Sequence, residues 1–243
     1  MIQAVLSNGQ RPEYGTVTVS FPISREEYDC VMEQLASLEI GDPSKQDCIV
    51  NKIDGFFTVL KITEDHCVNV DELDYLAKRL DSFDDGEAAQ FQAMASKMEL
   101  FELKDLINLT FCCQQATVIT DFSDLETIGR DHYMNTHGGC ADIKELENLD
   151  GVETALLLIT ENEGTVTPYG VVYDNGMRLE SSYDGKHFPA YLYEPTILMV
   201  ALSSRLEPED TKNITWLYLP AAEGQIRRAI ARSGISDPEN MRF

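Results

Sequence analysis

VSFPISREEYDCVMEQL, residues 19 to 35, joins a strand to a helix through a proline, and the reading of the chain starts from that junction. TVTVSFP (16–22) alternates apolar and polar side chains and ends in Pro22, which has no N–H to give to a ladder; a half-buried strand stops there. Ser24 and Glu27 then supply a capping box, and Ile23 and Tyr28 flank it as a hydrophobic staple. Tyr28, Val31, Met32 and Leu35 follow helical spacing and predict a core face, with Glu26, Asp29 and Glu33 on the opposite side.

The junction recurs near the other end of the sequence. LYLPAAEGQIRRAIARS (217–233) repeats the strand, the proline at 220 and a helix whose Ile226, Ala229 and Ile230 match Tyr28, Val31 and Met32. Asp42-Pro43 and Asp237-Pro238 follow the two copies. Arg227, Arg228 and Arg232 replace the carboxylates of the first helix; they would either meet an acidic block or form a solvated face. The second copy is expected to lack the hairpin that follows the first.

That hairpin is predicted from 47–53 and 55–62, two short strands about Asp54-Gly55. Asn69 with Glu72 caps a helix that turns Leu73, Leu76, Leu80 and Phe83 inward and Asp71, Asp74 and Asp81 away. Asp84 with Glu87 starts a second helix, a third covers 99–109, and Ser123 with Glu126 caps a fourth. Beyond Gly138-Gly139, ETALLLIT, VTPYGVVYD and MRLESSYD are read as strands, with Asn175-Gly176 as a hairpin turn. The expected fold is α+β, elongated and multi-domain. It comprises a small N-terminal α/β unit (1–65), an acidic helical block (66–140), a β-rich antiparallel region (141–212) and a partial repeat (213–243).

The net charge of −23 is uneven, because residues 24–163 hold 31 Asp and Glu against 10 Lys and Arg while 164–243 hold 10 against 8. So acidic a stretch repels itself and suits a cationic partner, such as a surface built to grip DNA; the plainer alternative is solubility. The start shows no leader pattern and no run approaches the ~20 apolar residues of a membrane span. Six cysteines without a CxxC pair read as reduced thiols, so a cytoplasmic protein is expected. No P-loop, GxGxxG, GxSxG or HExxH pattern occurs, and neither enzymatic activity nor a cofactor is expected. His132, His137 and Cys140 come nearest to a metal cluster but offer neither a closed-site spacing nor a fourth ligand, so no metal is assigned. Asp81, Asp84 and Asp85 lack the alternating ligands of a calcium loop and read as helix caps.

The strand into FPISREE, the FFTVLKI segment, VDELDYLAKRLDSFDDGEAAQFQAMA and DLETIGRDHYM resemble, in that order over residues 16–137, the ArdA antirestriction proteins of mobile elements. The resemblance implies an elongated, dimeric DNA mimic whose carboxylates stand in for phosphates in the DNA groove of a type I restriction-modification enzyme. The implied partner is that enzyme or another DNA-binding protein, with self-association as a homodimer and no direct contact with nucleic acid or membrane. By position, the implied phosphate mimics are Glu26, Asp29, Glu33, Asp71, Asp74, Asp81, Asp84, Asp85, Glu87, Asp124, Glu126 and Asp131. Helix neighbours three or four residues apart lie about 5–6 Å from each other, comparable with phosphates along a strand. The β-rich region and second repeat depart from compact ArdA proteins. They leave a rival expectation, an accessory interaction module of a mobile element whose acidity serves only solubility.

Overall fold

The prolines end their strands as the sequence predicts, and the computed structural model describes residues 1–193, 196–209 and 211–243, apart from the side chain of Pro238. Glu194, Pro195 and Asp210, inside the region read as β-rich, lie outside the described residues. The chain opens with β1 (Ile2–Asn8), β2 (Thr16–Phe21), α1 (Tyr28–Ser37), β3 (Cys48–Gly55), β4 (Cys67–Val68) and α2 (Val70–Asp81). It continues through α3 (Asp85–Lys97), α4 (Leu103–Leu109), β5 (Thr117–Ile119), α5 (Leu125–Thr136), α6 (Ile143–Asn148) and α7 (Gly151–Glu161). Then follow β6 (Thr165–Thr167), β7 (Gly170–Tyr173), β8 (Leu198–Ser204), β9 (Thr215–Leu219), α8 (Glu223–Ser233) and β10 (Met241–Arg242). The fold is α+β with antiparallel sheets, and no helix among the described residues is long and apolar enough to cross a membrane.

Two compact units replace the four consecutive segments expected. The first unit comprises Met1–Ser82, Glu102–Ile107 and Ser181–Phe243; the second comprises Phe83–Phe101 and Asn108–Glu180. Both ends of the chain therefore belong to one body, and the internal repeat explains why. In the first copy β1, β2 and β3 form a sheet in the order β2-β1-β3, extended by β4, with α1 between β2 and β3 in the chain; in the second, β8, β9 and β10 repeat the order as β9-β8-β10, with α8 between β9 and β10. Phe21 pairs with Ile2 and Leu219 with Leu198, so the residue before each proline faces the start of the preceding strand. The second copy thus begins at β8 and closes with β10, a two-residue counterpart of β3.

Helices α1 and α8 pack against each other, and α8 delivers two of its three arginines inward. Arg228 Nε donates to Asp71 at 2.9 Å. Arg232, only 7% exposed, donates to Pro43 O (2.6 Å), Asn69 Oδ1 (3.2 Å), Tyr183 Oη (2.8 Å) and Lys186 O (3.2 Å), and lies 4.3 Å from the Phe188 ring centroid. Tyr183 passes the network on, its hydroxyl donating to buried Glu72 at 2.8 Å. In the same unit Leu6, Phe21, Leu35 and Leu76 are fully buried, each stabilising the fold by roughly 1.5–3 kcal/mol.

The predicted strand at 55–62 is absent. A 3-10 turn covers Thr58–Thr63, because Val59, Leu60 and Thr63 bury with the spacing of a turn and β3 already pairs with β1 on one side and β4 on the other.

In the second unit β7 lies between β5 and β6. Ile119, Ile128, Ala155, Leu158 and Tyr173 form one hydrophobic cluster of its core, where α5 and α7 meet. ETALLLIT is helix α7, not a strand: Asp150 accepts from Glu153 N at 2.9 Å and Ala155 and Leu158 turn inward at i and i+3. Asn175 and Gly176 do make a tight turn with positive φ (53° and 74°), closed by Met177 N donating to Asp174 O at 2.8 Å. No strand pairs beyond it, since both edges of β7 are taken by β5 and β6.

Candidate functional site

Carboxylates are the groups this chain has in excess, and the second unit concentrates them. It holds 17 Asp and Glu against 4 Lys and Arg, a net of −13; fourteen of the 17 are exposed, three are half-buried and none is buried. Among the described residues only Glu126, with Arg130 at 2.8 Å, and Asp174, with Lys97, are ion-paired there.

Many of these charges are fixed by the backbone. Asp84 accepts from Glu87 N at 2.8 Å while Glu87 accepts from Asp84 N at 3.2 Å, the capping box the sequence predicts. Asp124, one residue later than the expected Ser123, caps α5 by accepting from Thr127 N at 3.0 Å. Asp142 and Asp150 cap α6 and α7 in the same way. A carboxylate there faces the partial positive charge of the helix end and keeps its geometry when a partner approaches. The backbone N–H bonds from Ser123 to Asp121 and from Thr127 to Asp124 hold both carboxyls below the usual range, so both stay ionised. Replacing Asp84 with Ala should cost about 1 kcal/mol, while Asp84→Asn, an equally good cap, should cost less than about 0.5 kcal/mol; thermal unfolding of the two variants checks this.

The twelve residues implied by the resemblance divide evenly between the units. Asp84, Asp85, Glu87, Asp124, Glu126 and Asp131 lie on the second and are exposed or half-buried. On the first, Glu26, Asp29, Glu33 and Asp81 are exposed, although Asp29 accepts from Gly224 N at 3.1 Å and Asp81 from the Tyr193 hydroxyl at 3.1 Å. Asp71 and Asp74 do not face outward. Asp74 is 6% exposed, accepts from Ile23 N at 2.7 Å and pairs with Lys78 at 2.7 Å, and Asp71 is bound by Arg228. On the side of α2 that the helical spacing turns away from the core, Arg228 of the second repeat claims Asp71, while the Ile23 backbone and Lys78 claim Asp74.

Asp142 and Asp150 are further carboxylates of this surface. Each is followed three residues on by a glutamate, Glu145 and Glu153, which is the capping signature that marks them in the sequence. The two imidazoles nearest to a metal-binding pattern are engaged elsewhere, His132 with Thr117 Oγ1 at 2.9 Å and His137 with Tyr133 O at 2.7 Å. Among the described residues no three His, Cys, Asp or Glu gather to hold a metal, and all six cysteines are free, with Cys48, Cys112 and Cys113 buried.

No family model, curated protein or solved structure matches the chain.

Proposed function

We propose that this protein is a non-catalytic DNA mimic of the ArdA type, which occupies the DNA-binding groove of a type I restriction-modification enzyme or a similar cytoplasmic DNA-binding protein. The supporting observation is the second unit, where 17 carboxylates all reach the surface, only two are ion-paired, and four are locked at helix N-termini. An array of fixed, ionised carboxylates can compete with phosphates for Arg and Lys because both present negative oxygens to the same cations.

The test is displacement of DNA from a type I methyltransferase core. Wild-type protein should compete, and its affinity should fall steeply as salt rises. A variant with Asp84, Asp124, Asp142 and Asp150 each replaced by Asn keeps its caps but loses four charges, and should compete at least about tenfold less well at low salt. Failure to displace DNA, or displacement indifferent to salt and to the four substitutions, rules out mimicry.

One observation favours a second reading, an interaction module that associates through apolar contact. On α7, Val152, Leu156 and Leu157 are 41%, 47% and 48% exposed. Such a strip fits a protein partner or a second copy of the chain. Light scattering of wild type and Leu156→Glu separates these: a dimer lost in the variant makes it a self-association face.

A further inference from the structure

A cleft of about 500 Å³ opens in the first unit between the two repeats, within the range of about 300–1,000 Å³ usual for small-molecule sites. Matched positions of the two proline junctions line it, Pro22 and Tyr28 from the first copy and Pro220 and Ile226 from the second. Along α2, Asp71, Asp74, Tyr75 and Lys78 contribute a third wall at helical spacing.

The rest is strongly aromatic. Tyr75, Phe188, Tyr191, Tyr193, Trp216 and Tyr218 all reach the cleft. Trp216 and Tyr218, two apart on β9, share a face. Tyr75 and Phe188 are stacked, with centroids 4.5 Å apart and planes 8° apart. The Tyr75 hydroxyl donates to Pro189 O at 2.9 Å and the Tyr218 hydroxyl accepts from Tyr191 N at 3.1 Å, so the rings are held before any ligand arrives. Phe188 is stacked by Tyr183 as well (5.0 Å, 13°), and Arg79 lies over Tyr191 at 4.4 Å, so these rings make a rigid floor; the ring placed to take a planar ligand is half-buried Trp216. Stacking of a base on such a side chain contributes about 1–3 kcal/mol.

The charge of the cleft runs against that of the chain. Among the described residues Arg25, Lys78, Lys186, Arg228 and Arg232 line it against Glu26, Asp71 and Asp74, an excess of two positive charges in a protein of net −23. Asp71 and Asp74 are taken by Arg228 and Lys78, whereas Arg25 and Lys186 are exposed and have no ion-pair partner among the described residues. An acidic wall would have served a cationic ligand. This one favours an anion.

We propose that the cleft binds a mononucleotide, its base on the aromatic wall and its phosphate drawn to Arg25 or Lys186. The remaining negative charge selects for size: it repels a polyanion, whereas a single phosphate brings only about two charges. The site uses no carboxylate of the second unit, so its fate and that of DNA mimicry are independent.

Trp216, the sole tryptophan, reports from inside the cleft. Titration of the full chain with each common ribonucleoside monophosphate should give saturable quenching with at least one, confirmed by heat in calorimetry. The matching nucleoside should bind about tenfold more weakly, as should the nucleotide to at least one of Arg25→Gln and Lys186→Gln, both exposed positions whose change leaves the fold intact. Neither quenching nor heat with any monophosphate overturns the proposal. So does equal binding of nucleoside and nucleotide, binding unchanged in both variants, or tighter binding of a short single-stranded oligonucleotide.

Discussion

Replacing Arg232 with Met is expected to destabilise the first unit by about 3–5 kcal/mol, the usual effect of removing one partner from a buried ionic network. The side chain is 7% exposed and donates to four acceptors, on the loop after α1, the cap of α2 and the segment before β8. Its loss leaves Lys186 O without that donor, Pro43 O with only the Asn69 amide at 3.2 Å, and Glu72 with the Tyr183 hydroxyl but without the charge of Arg232. Urea unfolding followed through Trp216 measures the loss, and a change below about 1 kcal/mol would mean that the network is not a structural centre.

The deficit should also depend on pH. Burial, opposed by the Tyr183 hydrogen bond and the charge of Arg232, holds Glu72 above the usual carboxylate range. A carboxyl raised in the folded state contributes stability that is present below its unfolded value and lost as pH rises through its folded value. Without Arg232 the folded value rises further, so the variant should recover part of its stability as pH falls from neutrality through that value. Glu72→Gln in the Arg232→Met background should remove this recovery.

Gly129→Ala should be nearly as damaging, but to the second unit. A Cβ on Gly129 would lie 1.8 Å from Gly151 O, and one on Gly151 would lie 2.5 Å from Glu126 O. Both obstacles are backbone, so no side-chain rotation relieves them; α5 and α7 must separate and open the core at Ile128, Ala155 and Leu158. The expected cost is about 3 kcal/mol or more, at the upper end for overpacking. Hydrogen exchange should show protection lost in α5 and α7 and kept in α2. Unchanged protection in α5 and α7 would place the helices farther apart than described.

Where structure follows from groups close in sequence, it was legible. Pro22 and Pro220, the Asn69 cap and the Asp84–Glu87 box each mark a boundary through atoms within a few residues, and the matched junctions exposed the repeat. ETALLLIT misled because a short apolar run fits strand and helix alike, and the deciding evidence was Asp150 and Glu153 rather than the run. Asn175-Gly176 forms its turn, yet a turn cannot make a strand pair when neighbours already occupy both edges. The candidate site divides on the same line. Carboxylates at helix caps could be read as fixed and outward, whereas Asp71 and Asp74 are claimed by Lys78, by the Ile23 backbone and by Arg228, which lies 157 residues further on.

That distance orders the birth of the protein. On the ribosome the second unit has all its residues once Glu180 has emerged, whereas the first must wait for β8, β9, α8 and β10. Until then Glu72 and Asp71 lack the charges of Arg232 and Arg228, and Tyr75 of α2 lacks the second repeat across the cleft. The second repeat, synthesised after the second unit, therefore closes the body that the first repeat began, and a nascent chain arrested before α8 should carry a complete second unit and an incomplete first.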